Sequence, residues 1–378
     1  MISALALSGL PSLSEEVYSL EPLSAERVIV AKGGYFPRLL QRRNGELIAT
    51  FKTNAPHIGK GGRASMSRSK DGGRTWSSPV TVFDKPDADD STDSLGELPD
   101  GTLLFAAVSY TWPGERYTHV GWRADTYTIE SKDGGETWSA PRRVNTAPLT
   151  WSYPFGRIVR LQDGTLLLSG FGGYLPILEQ EWDLKPSNRP DAPHKPEDKI
   201  GQFCYLVRSH DNGKTWGELS ILGRHFNEVT IMPLKNGSLL AVMRSEQGGH
   251  LSSAFSSDQG RTWSAPKQVT ADREHPGDLL RLANGDILLS FGERNKPYGV
   301  RAILSHDEGR TWDTAHPIML AWDGDHGDLG YAISAQRPDG RIVTLYYIVY
   351  GERDPQGLKG FAPANAFIKG VIWDLPKR

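Results

Sequence analysis

The sequence predicts an all-β fold, a six-bladed β-propeller of four-stranded antiparallel sheets, and three observations lead there. One octapeptide of the form Ser-x-Asp-x-Gly-x-Thr-Trp occurs five times, at residues 69–76, 131–138, 209–216, 256–263 and 305–312, and self-similarity on this scale is the mark of a repetitive architecture. Six apolar runs break at Asn44-Gly45, Asp100-Gly101, Asp163-Gly164, Asn236-Gly237, Asn284-Gly285 and Asp339-Gly340, and each resumes as a second apolar run. Such dipeptides between strand-like runs are the strongest short-range hairpin signal. No long segment carries a 3.6-residue apolar period, while 41 Gly and 25 Pro punctuate the chain, which favours short strands joined by turns.

Each element follows from its own chemistry. The Asn-Gly or Asp-Gly turn joins strands A and B of a blade. The octapeptide supplies the turn between C and D: its Asp can accept hydrogen bonds from its own backbone, its Gly can take a positive φ, and Thr-Trp resumes a strand with a large apolar anchor. Five of the eleven tryptophans lie in these boxes and are assigned to the scaffold. The sixth hairpin has no box after it. This fits a ring closed by pairing an N-terminal strand near Arg27–Ala31 with the last C strand near Ala366–Trp373, since closure of that kind removes one C–D turn.

All of residues 1–378 are assigned to this one propeller domain, with an insertion at 174–201 rich in Pro, Asp and Lys and containing Trp182, a candidate lid. A net charge of −2 gives no basic surface for nucleic acid or for an anionic membrane. Cys204 is the only cysteine, so no internal disulfide framework exists. The apolar stretch Ile2–Leu10 lacks a basic flank and is too short to span a bilayer; the expectation is no membrane span, with the cytoplasm favoured over the periplasm or exterior.

Connectivity places the boxes and the A–B turns on one face. The loops leading into strand A and those joining B to C share the other, where propellers bind ligands. Blade by blade, the strand A starts carry Tyr35 and Arg38, Asp90 and Asp93, Tyr153 and Arg157, Asn227 and Glu228, His275 and Asp278, and Asp328 and Tyr331. The B–C loops add His57 and Arg63, then Trp112, Arg116, Tyr117 and His119, then Arg244, and finally Arg294 and Arg301.

These boxes on a six-fold β repeat resemble the sialidase (neuraminidase) superfamily, over nearly the whole chain. The resemblance implies three arginines around a substrate carboxylate, a Tyr nucleophile with a Glu as its base, and an Asp as acid/base. Tyr35-Phe-Pro-Arg38 resembles the first-arginine motif. Asn227-Glu228 followed by Met243-Arg244 is similar to the segment carrying the Glu and second arginine. Arg301, with Arg294 as competitor, resembles the third, and Gly330-Tyr331 the nucleophile. The chemistry is coherent, since guanidinium forks match carboxylates and a Tyr needs a neighbouring carboxylate to take its proton. Sialidases are an exception to the two-carboxylate scheme of glycosidases for this reason.

One departure stands out. The family's acid/base Asp belongs in the B–C loop of the first blade, yet no Asp or Glu occurs between Glu46 and Asp71. His57 from that loop, or Asp93 from the next blade, is assigned its role. Arg63, Asp90, His275, Asp278 and Asp328 complete the expected substrate-binding set. No metal or other cofactor is called for, because the His/Asp residues at 275–278 and 325–328 lack a diagnostic ligand spacing.

The resemblance thus implies an exo-acting glycoside hydrolase acting on a terminal α-linked, acidic sugar of a glycan or oligosaccharide. Two other readings fit the same residues. One is a different glycosidase, or a polysaccharide lyase with His57 or His275 as base; the other is a glycan-binding propeller without catalysis.

Overall fold

The computed structural model describes residues 25–115, 121–174, 201–351 and 363–376. Arg116, Tyr117, His119 and most of the 174–201 insertion, Trp182 included, lie outside the described residues. The described chain forms six antiparallel sheets around an axis. The first blade runs Tyr35–Gln41, Leu47–Thr53, Arg63–Ser69 and Val80–Phe83; the fourth, fifth and sixth repeat the plan from Phe226, Glu274 and Leu329. Ring closure is as expected: Glu26–Lys32 pairs antiparallel with Ala366–Trp373, with Arg27 opposite Val371.

The turns explain their sequences. At all six A–B turns the Asn or Asp side chain accepts the N–H two residues on, as Asn44 does from Glu46 at 3.0 Å. The following Gly has positive φ, between 84° and 97°. In the boxes, Asp71 accepts from the N–H of Arg74 and Thr75 and from the hydroxyls of Ser69 and Thr75, at 2.6–3.1 Å. The box Gly has a second reason to lack a Cβ: one built on Gly213 would lie 2.5 Å from Leu104 of the preceding blade.

Apolar side chains form a separate core between each pair of neighbouring blades. Each box Trp packs into the core shared with the preceding blade, as Trp138 does on Phe105 at 4.4 Å between ring centroids. The blade without a box has a substitute. Trp373, at the end of the last C strand, is fully buried in the core between blades five and six and donates to Thr344 Oγ1 at 3.0 Å.

Two departures from regular geometry shape the funnel. In five blades the A–B register shifts near the start of strand A, between Tyr35 and Arg38, Thr92 and Ser94, Asn227 and Thr230, Glu274 and Gly277, and Gly330 and Ile333. In the third blade strand A is broken into Trp151–Pro154 and Val159–Arg160, and Gly156–Arg157 between them pairs in parallel with Asp89–Glu97 of blade two. A bulge bends its strand and redirects one side chain, so this irregular rim aims residues at the axis.

Candidate active site

At the centre of the upper funnel Tyr331 and Glu228 are buried and Arg244 is half-buried beside them. Tyr331 donates its hydroxyl to Glu228 Oε1, and Arg244 Nη1 donates to Glu228 Oε2 at 2.7 Å. Tyr331 and Glu228 each occupy a bulge with φ of 52° and 44°, the left-handed region that costs a bulky L-residue of order 1–3 kcal/mol. Phe36, in the first-blade bulge, shares this conformation at 55° and lies 4.9 Å from the Tyr331 ring. Burial opposes the charge on Glu228, but Arg244, the Tyr331 hydroxyl and the more distant Arg294 outweigh it and hold the carboxyl below its usual range. Burial, reinforced by the Glu228 charge, pushes Tyr331 well above 10. The pair is therefore a neutral phenol bonded to a carboxylate able to take its proton.

The arginines expected to grip an anion divide into two groups. Arg244 and Arg294 face this unit: Arg294 acts electrostatically on Glu228, Tyr331 and Asp328, and the Nε atoms of both are buried without a partner. Arg301 instead binds Glu274 at 3.2 Å and Glu293 at 3.1 Å. Of the two competitors for the third arginine, Arg294 acts on Glu228 and Tyr331, whereas Arg301 is paired with two carboxylates. Arg38 is 2% exposed, stacked 3.9 Å over Phe155 and 3.7 Å from Asp93. Its guanidinium also lies 5.7 Å over the Tyr331 ring, with Nε and Nη2 buried without a hydrogen-bond partner.

The acidic candidates are also sorted by burial. Asp93 is fully buried; burial pushes its carboxyl up to about 6, opposed by Arg38 and by the nearby hydroxyls of Ser91 and Tyr153. Asp90 is raised to about 6 by burial as well and accepts from the Lys85 N–H at 2.5 Å. Asp278 forms a fork with Arg157 at 3.2 and 2.8 Å, and Arg157 also reaches the carbonyls of Leu39 and Ser334. Residues of blades one, three, five and six meet there, so Arg157 and Asp278 brace the ring across its axis. Arg63 pairs with Asp84 at an exposed edge, 3.0 Å away.

His57 and His275 differ in kind. His275 is buried beside Arg294, Arg244 and Arg273; burial and then these charges depress its pKa so far that the imidazole is neutral, with Nδ1 unpartnered. His57 is one-third exposed, 3.1 Å from Asp328 through Nδ1, and meets the Phe36 ring edge-on at 4.7 Å. Asp328 accepts from Tyr347 at 2.6 Å as well. Burial would raise its pKa, but His57, Tyr347 and Arg294 together hold the carboxylate well below its usual range.

Lys52 was not legible as a site residue. It is 2% exposed on strand B of the first blade, with Nζ against Asp89 Oδ1 and donating to the His57 carbonyl at 3.1 Å. The available signal was a lysine inside the otherwise uncharged strand Leu47–Thr53. Among the described residues no group of three or more His, Cys, Asp or Glu could hold a metal ion, and no helix is long and apolar enough to cross a membrane.

Fold and site together define a class: six-bladed propellers with Asp-box turns on one face and a Tyr–Glu–Arg cluster on the other. Residues 111–344 match the BNR repeat-like domain family, and the chain belongs to it. It is 23% identical over 322 residues to a sialidase of Bacteroides fragilis, covering 74% of this chain and 53% of that protein. It is 25% identical over 373 residues to a sialidase of Micromonospora viridifaciens, covering 86% and 52%. The chain thus spans about half the length of these curated relatives. Among solved structures, a Dyadobacter fermentans protein of unknown function superposes with a TM-score of 0.75 at 22% identity, over 94% of this chain and 99% of that one. The Hadza microbial sialidase Hz136 follows at 0.66 and 18%, over 90% and 66%.

Proposed function

We propose that the protein is an exo-acting glycoside hydrolase of sialidase type that cleaves a terminal α-linked acidic sugar from a glycan. The observation that carries this reading is the bonded chain Tyr331–Glu228–Arg244, a nucleophile with its base and the base held by a cation. Relatives named as sialidases support the same class. Tyr331 attacks the anomeric carbon while Glu228 takes its proton, and a glycosyl-tyrosine forms that water then resolves. Arg244 and Arg294, with unpartnered Nε atoms, bind the acid group of the sugar.

The test is a screen of aryl sialosides and aryl glycosides of other acidic sugars, with Tyr331→Phe and Glu228→Gln as controls. Loss of a positioned base costs about 10²–10⁴-fold in rate. Full activity in both variants would exclude the mechanism. A lyase would instead release an unsaturated product absorbing in the ultraviolet, and inertness on all substrates together with sugar binding would indicate a lectin.

A further inference from the structure

The proposed hydrolase needs a group to protonate the departing oxygen, and the first-blade loop that should bring a carboxylate brings none. That loop is nonetheless built with unusual care. Asn54, at φ 70°, donates through Nδ2 to the Gly61 carbonyl at 2.9 Å and closes the loop on itself. Asp89 Oδ2 accepts from the Gly59 N–H at 2.9 Å, the Gly61 N–H donates to Ala88 at 2.8 Å, and Asp90 N–H donates to Gly62 at 3.0 Å. Beneath it the buried Lys52–Asp89 pair reaches the backbone carbonyl of His57 itself. A Cβ on Gly62 would fall 2.0 Å from Asp89 Oδ1, so this residue must be Gly for the pair to fit. A mere surface connection has no need of a buried ion pair, which is costly to desolvate.

The side chain that this loop presents is fixed at one end only. Asp328 is an ionised carboxylate and can only accept, so His57 Nδ1 carries the proton between them at 3.1 Å. His57 Nε2 has no protein partner among the described residues, and the ring is one-third exposed. Phe36 separates the imidazole from the Tyr331 ring by a single aromatic layer. Asp93, the competing proton donor, is fully buried and engaged with Arg38.

We propose that His57 is the acid/base of the reaction, a His57–Asp328 dyad standing where the family resemblance calls for an aspartate, and that Lys52 and Asp89 are its positioning residues. This rests on the hydrolase reading above. As Tyr331 Oη bonds to the anomeric carbon, the glycosidic C–O bond breaks with its electron pair on the leaving oxygen, which takes the Nε2 proton. In the second step His57 removes a proton from water as the new C–O bond forms. Tyr331 then departs and recovers its proton from Glu228. The charged and titratable groups around His57 are Asp328 at Nδ1, Lys52 and Asp89 below the loop, Tyr35 and Tyr347 at its flanks, and Arg294 beyond Asp328.

The test separates acid catalysis from simple structural support by leaving-group dependence. The probes are the dinitrophenyl and the methyl glycoside of the sugar selected by the screen. Dinitrophenolate departs without protonation, whereas methoxide does not. His57→Ala and Asp328→Asn are expected to lose about 100-fold or more on the methyl glycoside and far less in the glycosylation step with the dinitrophenyl compound. Lys52→Met would show the same skew in milder form. Equal losses on both probes with an active wild type would overturn the dyad while leaving the hydrolase reading intact. An inert wild type would overturn both. Nitrogen-15 NMR gives a readout independent of turnover: the Nδ1–H of His57 should be hydrogen-bonded in the wild type and lose that signature in Asp328→Asn, and its absence in the wild type would also overturn the proposal.

Discussion

Lys52→Met puts the buried pair under the first-blade loop to a thermodynamic test. Lys52 and Asp89 are 2% and 3% exposed, so removing the ammonium leaves a carboxylate without water or counter-ion. Breaking one half of such a pair costs about 3–5 kcal/mol, and Asp89 can reduce the cost only by taking up a proton. Burial already raises its pKa against the pull of Lys52, and without Lys52 the rise is larger. A folded-state pKa above the unfolded value of about 3.9 means proton uptake on folding. Because the wild-type carboxyl is raised as well, the deficit is smallest below both folded-state pKa values and grows between them, by at most about 1.4 kcal/mol per pH unit. Urea unfolding at pH 4.5 and pH 7.5 measures both values. Asp89→Asn in the same chain removes the stranded charge but keeps an acceptor for the Gly59 N–H, so Lys52→Met/Asp89→Asn should recover most of the loss at pH 7.5. A single variant within about 1 kcal/mol of wild type at both pH values, far below the expected cost, or a deficit that shrinks as pH rises, would refute the reasoning.

Three further outcomes are expected. Arg294→Gln should raise KM for an anionic substrate roughly 10–100-fold, the worth of a charged hydrogen bond, whereas Arg301→Gln should act on stability by releasing Glu274 and Glu293 from their shared cation; kinetics and melting of the two variants separate the roles. Asp133→Ala removes the acceptor for Ser131, Glu136 and Thr137 in the second box and should lower the melting temperature with turnover per folded molecule unchanged. Glu26 is held down at about 2 by Arg74 and Arg341. Its contribution is present above the unfolded value of about 4.3 and lost as pH falls toward 2; because the group is partly exposed, Glu26→Gln should cost no more than about 1 kcal/mol at pH 7, less in high salt, and nothing at pH 2.

What the sequence reveals depends on the range of the interaction. The Asn44-Gly45 turn and the Asp71 box satisfy themselves within five residues, so each can be read from a short window, and the missing sixth box marks where Glu26–Lys32 closes the ring. Tyr331, Glu228 and Arg244 are legible because their spacing follows the repeat. The partners of Arg38 and Asp278 are not, since Asp93, Phe155 and Arg157 come from other blades. Arg301 looks like a free guanidinium until Glu274 and Glu293 fold against it. Asp328 looks like a substrate ligand until His57, 271 residues away, meets it. Partners of that kind are properties of the closed ring and leave no local trace.

The pairing of Glu26–Lys32 with Ala366–Trp373 also governs how the molecule can be made. Of the described strands, the N-terminal one must wait for the C-terminal one, while five blades assemble between them. Until then the sixth sheet has an open edge and the core around Trp373 is incomplete, both hazards for a nascent β-protein. Contacts of such high sequence separation slow folding, because closure entropy must be met before they form. Once made, the closing pair ties the first blade to the last, so no blade can peel away without breaking the whole circle. The ring that is slow to shut is, by the same bond, slow to open.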